Sequence, residues 1–170
     1  MTLLQPGDTF PHLTVTPPDA PALQLPEALA GHFAVVLFYR GAWCPYCNAQ
    51  LRAFERAHDT LAELDARVVA LSVDDVTTTA ELIAKHGLRF PVGHSADANA
   101  IAEATGAFVN SEPTYLQSTG FLLDPTGQVL VSVYSSGAIG RLVPDDVAGV
   151  LRYLRDHASS ATARQANTRP

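Results

Sequence analysis

The sequence is short of several things, and each shortage closes off a class of protein. Only two of its 170 residues are cysteine, too few for a disulfide scaffold, which a chain of this length does not need. Positive charge is scarce: 11 basic residues, ten of them Arg, face 17 acidic ones for a formal charge of −6. They form no basic run, so no nucleic-acid partner is expected, because that surface needs a clustered cationic face. Long apolar runs are missing as well. The longest, Phe33 to Tyr39, is far short of the roughly 20 residues that span a bilayer, so no membrane partner is expected either. The opening MTLLQPGD has no basic stretch, no long apolar stretch and an early Pro6, so it does not read as a signal peptide. The expected setting is the cytoplasm, where thiols stay reduced and a disulfide works rather than braces.

What is present suits one globular domain. A hydrophobic share of 47% is enough to bury a core. Residues 1–157 read as a single domain, and the small, polar, aperiodic stretch 158–170 as a disordered tail. The first 26 residues hold six prolines and read as an N-terminal extension carrying one or two edge strands near His12–Thr16 and Leu23–Leu25. Phe33–Tyr39, apolar on both faces, predicts a central strand covered on both sides. A long helix is expected from Cys44 to about Leu64, with Leu51, Phe54, His58 and Leu61 on one face. Its polar face carries Glu55 and Asp59 one turn apart, a like-charge spacing that does not favour a helix.

Further along, Val68–Val73 predicts a second buried strand, followed by Asp74 and Asp75, which read as helix caps. Helices follow over Val76–His86 and Asn99–Thr105, with a loop over Phe108–Thr119. Gly120–Asp124 and Gln128–Tyr134 around Pro125-Thr126-Gly127 form a hairpin. Pro144 opens a last helix with Val147, Val150, Leu151 and Leu154 inward. Strand–helix alternation ending in a hairpin and a helix implies an α/β fold: a central mixed β-sheet with helices on both faces.

The chemistry concentrates at Trp43-Cys44-Pro45-Tyr46-Cys47, straight after the buried strand and at the start of the long helix. Unpaired N–H groups and the positive end of the helix dipole stabilise a thiolate there, lowering Cys44 from an ordinary value of about 8.5. Pro45 falls near the first helical position, where a missing N–H costs nothing. The three-residue spacing sets Cys47 one turn on, within reach of a disulfide. Half a zinc site is the competing reading, but structural zinc takes four ligands and no second cysteine pair exists. Neither a metal nor an organic cofactor is expected.

A WCPYC segment between a buried strand and a long helix resembles the thioredoxin superfamily, and the chain as a whole resembles its peroxiredoxin (AhpC/TSA-type) branch. Pro6-Gly7-Asp8, Phe10-Pro11, the segment LFYRGAWCPYC, Leu71-Ser72-Val73-Asp74, Phe90-Pro91 and Gly120–Gly127 carry the likeness in order from Gly7 to about Leu154. The resemblance implies a thioredoxin fold with an N-terminal extension and a cysteine-based redox activity. Laid on the family pattern P-x-x-x-T-x-x-C, Arg40 takes the proline position, Cys44 the threonine and Cys47 the peroxide-attacking cysteine. In thioredoxin logic the attacking thiol is instead Cys44, and both orders stay open. The family's arginine ahead of the later strand falls near Ser118, which is not a cation. The thioredoxin cis-proline has no counterpart in front of the hairpin, since Pro113 lies too far upstream.

Arg40 is the nearest candidate cation for the thiolate, and Ser118 and Thr119 are candidate donors from the facing loop. Trp43 and Tyr46 are candidates for the apolar rim where a substrate docks. Two activities compete: reduction of a hydroperoxide through a Cys44/Cys47 dithiol–disulfide cycle, and exchange with a partner disulfide. Either implies a thiol reductant of thioredoxin, glutaredoxin or glutathione type, and the resemblance suggests a homodimer. A non-catalytic redox sensor or binding module is the reading from another class.

Overall fold

Every residue of the strand Phe33–Phe38 is apolar and nearly every one is buried, a composition that requires cover on both faces of the sheet. The computed structural model, which describes residues 2–166 and side chains as far as Ala158, supplies that cover. In chain order the elements are β1 (Leu13–Val15), β2 (Leu23–Leu25), β3 (Phe33–Phe38), α1 (Pro45–Arg56), α2 (His58–Glu63), β4 (Ala66–Leu71) and α3 (Val76–His86). Then follow β5 (Val92–Gly93), α4 (Ala98–Thr105), β6 (Val109–Ser111), β7 (Thr114–Leu116), β8 (Thr119–Leu123), β9 (Val129–Tyr134) and α5 (Pro144–Ala166). The central sheet runs β5-β4-β3-β8-β9. β3 pairs in parallel with β4 and antiparallel with β8, so the sheet is mixed as the strand pattern implies.

Alternation along β3 divides the core in two. Val35, Leu37 and Tyr39 face one layer, where Leu51 and Phe54 of α1, Leu61 of α2, Leu82 of α3 and Val147 and Leu151 of α5 pack with both cysteines. Ala34, Val36 and Phe38 face the other, against Phe10, the β1–β2 pair, Ile101 of α4 and Leu116. Each fully buried Leu or Phe contributes about 1.5–3 kcal/mol of transfer free energy, so the cysteine-bearing end of α1 is anchored by the packing of its own second and third turns.

Four expectations change. β1 and β2 pair with each other in a separate two-stranded sheet instead of edging the central one, because their buried residues cap the second core layer. The helix expected from Cys44 to Leu64 bends at Ala57, where α1 ends and α2 begins. His58 is therefore partly exposed beside Asp59 rather than packed on a continuous stripe. Across the bend Arg89 bonds both Glu55 and Asp59, the latter at 2.9 Å, a cation distant in sequence that offsets the unfavourable Glu55–Asp59 spacing. The predicted loop over Phe108–Thr119 contains the β6–β7 hairpin, with Pro113 in a cis peptide at its turn. The helix α5 continues through the start of the predicted tail to Ala166, and the remaining residues, 167–170, lie outside the described part.

Gly120 of β8 fixes how close the segment after β9 can come. A Cβ at this position would sit 2.7 Å from the Leu142 Cβ, closer than real carbon contacts allow. Gly120→Ala is expected to lower stability by about 1–3 kcal/mol through overpacking, measured as a shift of the urea unfolding midpoint at unchanged slope.

Candidate active site

β3 delivers the chain into the loop Arg40-Gly41-Ala42-Trp43, and Cys44 then caps α1. Gly41 has φ +149°, and a Cβ there would lie 2.4 Å from the Trp43 Nε1; only glycine lets the turn fold under the indole. The loop is tied on both sides: the Ala42 N–H donates to Asp74 at 2.8 Å and the Asn48 amide donates to the Ala42 carbonyl at 2.9 Å. Asp74 and Asp75 thus divide the roles assigned to them together. Asp75 caps α3 through Thr78, whereas Asp74 buttresses the cysteine loop.

Both cysteines are free and buried, yet positive groups close on the Cys44 sulfur from three directions. The Cys47 N–H lies 3.4 Å away as the helix cap, Arg40 Nη1 3.9 Å away, and Arg141 Nη2 3.8 Å away. Burial alone pushes the Cys44 thiol up. Hydrogen bonds from the Cys47 side chain and main chain, then the charges of Arg141 and Arg40, outweigh it, so the net direction is down. Cys47 moves the other way. Burial, followed by its hydrogen bond to Cys44, pushes it up to about 11, against the opposing pull of the Arg40 N–H. That N–H donates to the Cys47 sulfur at 3.3 Å. Of the pair, Cys44 is therefore the thiol that gives up its proton first.

Each cation is itself held. Arg40 donates to the Tyr115 hydroxyl at 3.0 Å, and its guanidinium lies 4.9 Å from the Trp43 ring centre and 5.2 Å from that of Tyr115. The two rings meet edge to face at 5.2 Å, and such cation–ring contacts contribute roughly 0.5–2 kcal/mol. Arg141 donates to Ser118 Oγ at 2.8 Å and to Gln50 Oε1 at 3.1 Å, and twice to the Ala138 carbonyl. The buried Gln50 also donates to the Leu142 carbonyl at 2.9 Å, clamping the segment that carries Arg141 onto α1.

Of the residues singled out from sequence, Cys44, Cys47, Arg40, Trp43 and Pro45 come together, with Pro45 in the first turn of α1. Trp43 and Tyr46 are 58% and 52% exposed beside the buried sulfur. Ser118 reaches the site by way of Arg141, while the Thr119 hydroxyl turns to the Gln117 carbonyl at 3.3 Å. The residues that sequence reasoning missed are Arg141, Gln50 and Tyr115. Ser118 is indeed no cation, but Arg141 hydrogen-bonds it and brings the charge from a segment 23 residues further along. Isolated in a stretch without periodicity, Arg141 carries no local signal, though its lone charge in SSGAIGRLV is visible in retrospect.

Comparison with known proteins places this arrangement. The model of the AhpC/TSA family matches residues 6–132. The chain belongs to the AhpC/TSA family. A peroxiredoxin of Methanothermobacter thermautotrophicus is 29% identical over 167 residues, covering 95% of this chain and 78% of that protein. An alkyl hydroperoxide reductase C of Mycobacterium tuberculosis is 27% identical over 155 residues, covering 89% and 72%. Among solved structures, peroxidoxin BcpB of the same organism superposes with a TM-score of 0.76 at 21% identity, covering 88% of this chain and 97% of that one. That likeness is one of fold: the thioredoxin-like peroxiredoxin architecture. As a member of the AhpC/TSA family the chain is a thiol-dependent peroxidase, an oxidoreductase, and the Cys44–Cys47 pair is consistent with its cysteine-based cycle. Arg141 lies beyond the matched span.

The opposed directions of the two thiols have a pH consequence. With rising pH, thiolate absorbance and alkylation at Cys44 are expected to appear below the ordinary thiol value of about 8.5, while Cys47 stays protonated until about 11. Mass spectrometry of the two alkylated positions separates them. Arg141→Gln is expected to move the Cys44 midpoint upward.

Proposed function

We propose that Cys44 is the attacking thiolate and Cys47 the resolving thiol of a hydroperoxide-reducing cycle. The observation that carries this order is the convergence of the Cys47 N–H, Arg40 and Arg141 on the Cys44 sulfur. The thiolate attacks the terminal oxygen of the hydroperoxide, the O–O bond breaks, the hydroperoxide's own proton ends on the departing alcohol, and the sulfenate left on Cys44 takes up a proton from solvent. Negative charge grows on that leaving oxygen in the transition state, where preorganised donors stabilise it more than they do the ground state. Arg141 and Arg40 are the donors in reach of it. The Cys44 sulfenic acid then condenses with the Cys47 thiol, releasing water and leaving a Cys44–Cys47 disulfide. Two equivalents of an external thiol return the pair to the dithiol state.

The family relationship supports a reducing, cytoplasmic setting, and no described helix is long and apolar enough to cross a membrane. The family relationship also supports a homodimer. Trp43 and Tyr46, exposed on either side of Cys44, favour a second reading in which the same pair exchanges with a disulfide on a partner.

Cys44→Ser is expected to abolish dimedone-trappable sulfenic acid, whereas Cys47→Ser still forms it with hydroperoxide but fails to turn over. A dimedone adduct on Cys47 in the Cys44→Ser variant would reverse the proposed order. Arg141→Gln is expected to slow peroxide-driven oxidation by on the order of 100-fold, the scale for losing a transition-state donor, as read by stopped-flow Trp43 fluorescence. Insulin reduction without peroxide consumption by the parent protein would establish the second reading instead.

A further inference from the structure

The three segments that surround the Cys44 sulfur have an unusual charge pattern for so acidic a chain. Residues 39–50, 114–120 and 135–143 contain two cations, Arg40 and Arg141, and no Asp or Glu, although acids outnumber bases 17 to 11 overall. Neither guanidinium belongs to an ion pair with a carboxylate among the described residues; the pairs that form involve His12, His32, His58, Arg89 and Arg155. Their partners are neutral: Tyr115, Ser118, Gln50 and the Ala138 carbonyl. The buried Arg40 Nε has no hydrogen-bond partner among the described residues. Asp74, which touches the loop, is engaged by the Ala42 N–H.

When Cys44 is ionised in the dithiol state, its thiolate is the anion that both cations face. Oxidation to the Cys44–Cys47 disulfide removes that charge. Two partly buried guanidiniums then stand within 3.9 Å of the sulfur with no anion at all, in the one state that has to receive the electron donor. Hydroperoxides are neutral near pH 7, so in the first half of the cycle the two cations act on the thiolate and the departing oxygen but do not draw the substrate in. In the second half they can also attract an anionic donor.

We propose that the disulfide state takes a small carboxylate-bearing thiol as its reductant, the carboxylate pairing with Arg40 and Arg141 while the donor sulfur attacks Cys44. The inference rests on the cycle proposed above and names its donor. The donor thiolate forms a bond to the Cys44 sulfur and the Cys44–Cys47 bond breaks, its electron pair leaving on Cys47, which takes a proton from solvent. A second donor thiolate attacks the donor sulfur of the mixed disulfide, releases the oxidised donor and restores the Cys44 thiolate. A small anion is favoured over an acidic protein because it senses the local cations within a Debye length of about 8 Å at physiological salt. An acidic macromolecule also meets the −6 charge of the whole chain.

The test starts from disulfide made with diamide, so it reads the donor step even if hydroperoxide proves not to be the oxidant. Reduction is followed by stopped-flow with glutathione and with its diethyl ester, which carry the same thiol and differ in the carboxylates. Glutathione is expected to react about tenfold faster, an advantage that shrinks as salt is raised. In Arg40→Gln the ratio of the two rates is expected to fall toward one. Equal rates in the parent protein, or a ratio indifferent to salt and to Arg40, overturn the proposal. A thioredoxin-type protein dithiol that outpaces glutathione at equal thiol concentration overturns it as well. Failure of hydroperoxide to form the disulfide at all sinks the peroxidase cycle and leaves the donor measurement standing.

Discussion

The stabilisation of a thiolate at the buried Cys44 sulfur is the constraint around which the rest is arranged. A thiolate in a site closed to solvent is unfavourable unless donors replace the lost water. Here the donors come from three parts of the chain: the first turn of α1, the end of β3, and the segment between β9 and α5. No single element could supply them, because a helix N-terminus offers N–H groups but no full positive charge. The same asymmetry sets the two cysteines apart. Cys47 sits one turn deeper, receives one main-chain N–H, and keeps its proton up to about 11.

Much of the packing serves to hold those donors still. Gln50, two turns into α1, grips both the Arg141 guanidinium and the Leu142 carbonyl. Gly120 allows Leu142 to rest on the sheet at a distance no side chain would permit. Arg40 is pinned between two aromatic rings, one of them borrowed from the β6–β7 hairpin. Free guanidiniums on flexible stems would lose rotamer entropy on every turnover; these have already lost it on folding.

Particular elements explain what was legible beforehand. The strand Phe33–Phe38, the CxxC at a helix start and the Gly120–Tyr134 hairpin could be read because each is a local pattern: two-faced apolarity, three-residue spacing, a Pro-Thr-Gly turn. The bend at Ala57 was not, since Arg89, 30 residues beyond Asp59, supports it. The β6–β7 hairpin was hidden in a polar stretch whose strands span three residues each, too short for alternation to register. The cation missing at Ser118 could not be found by reading around Ser118, because Arg141 lies beyond the whole β8–β9 hairpin from it.

The sequence by itself determined the sheet, the helix that begins at Cys44, the pairing of two thiols one turn apart, and hence a thiol redox chemistry. These follow from contacts between near neighbours in the chain, which spacing alone prescribes. Only the tertiary structure set the two thiols apart, drawing Cys44 down and pushing Cys47 up. That difference depends on the distance of Arg40 and Arg141 from one sulfur rather than the other. Electrostatic interaction acts through space, and the separation of 97 positions between Cys44 and Arg141 leaves no trace of it in the pattern of the chain.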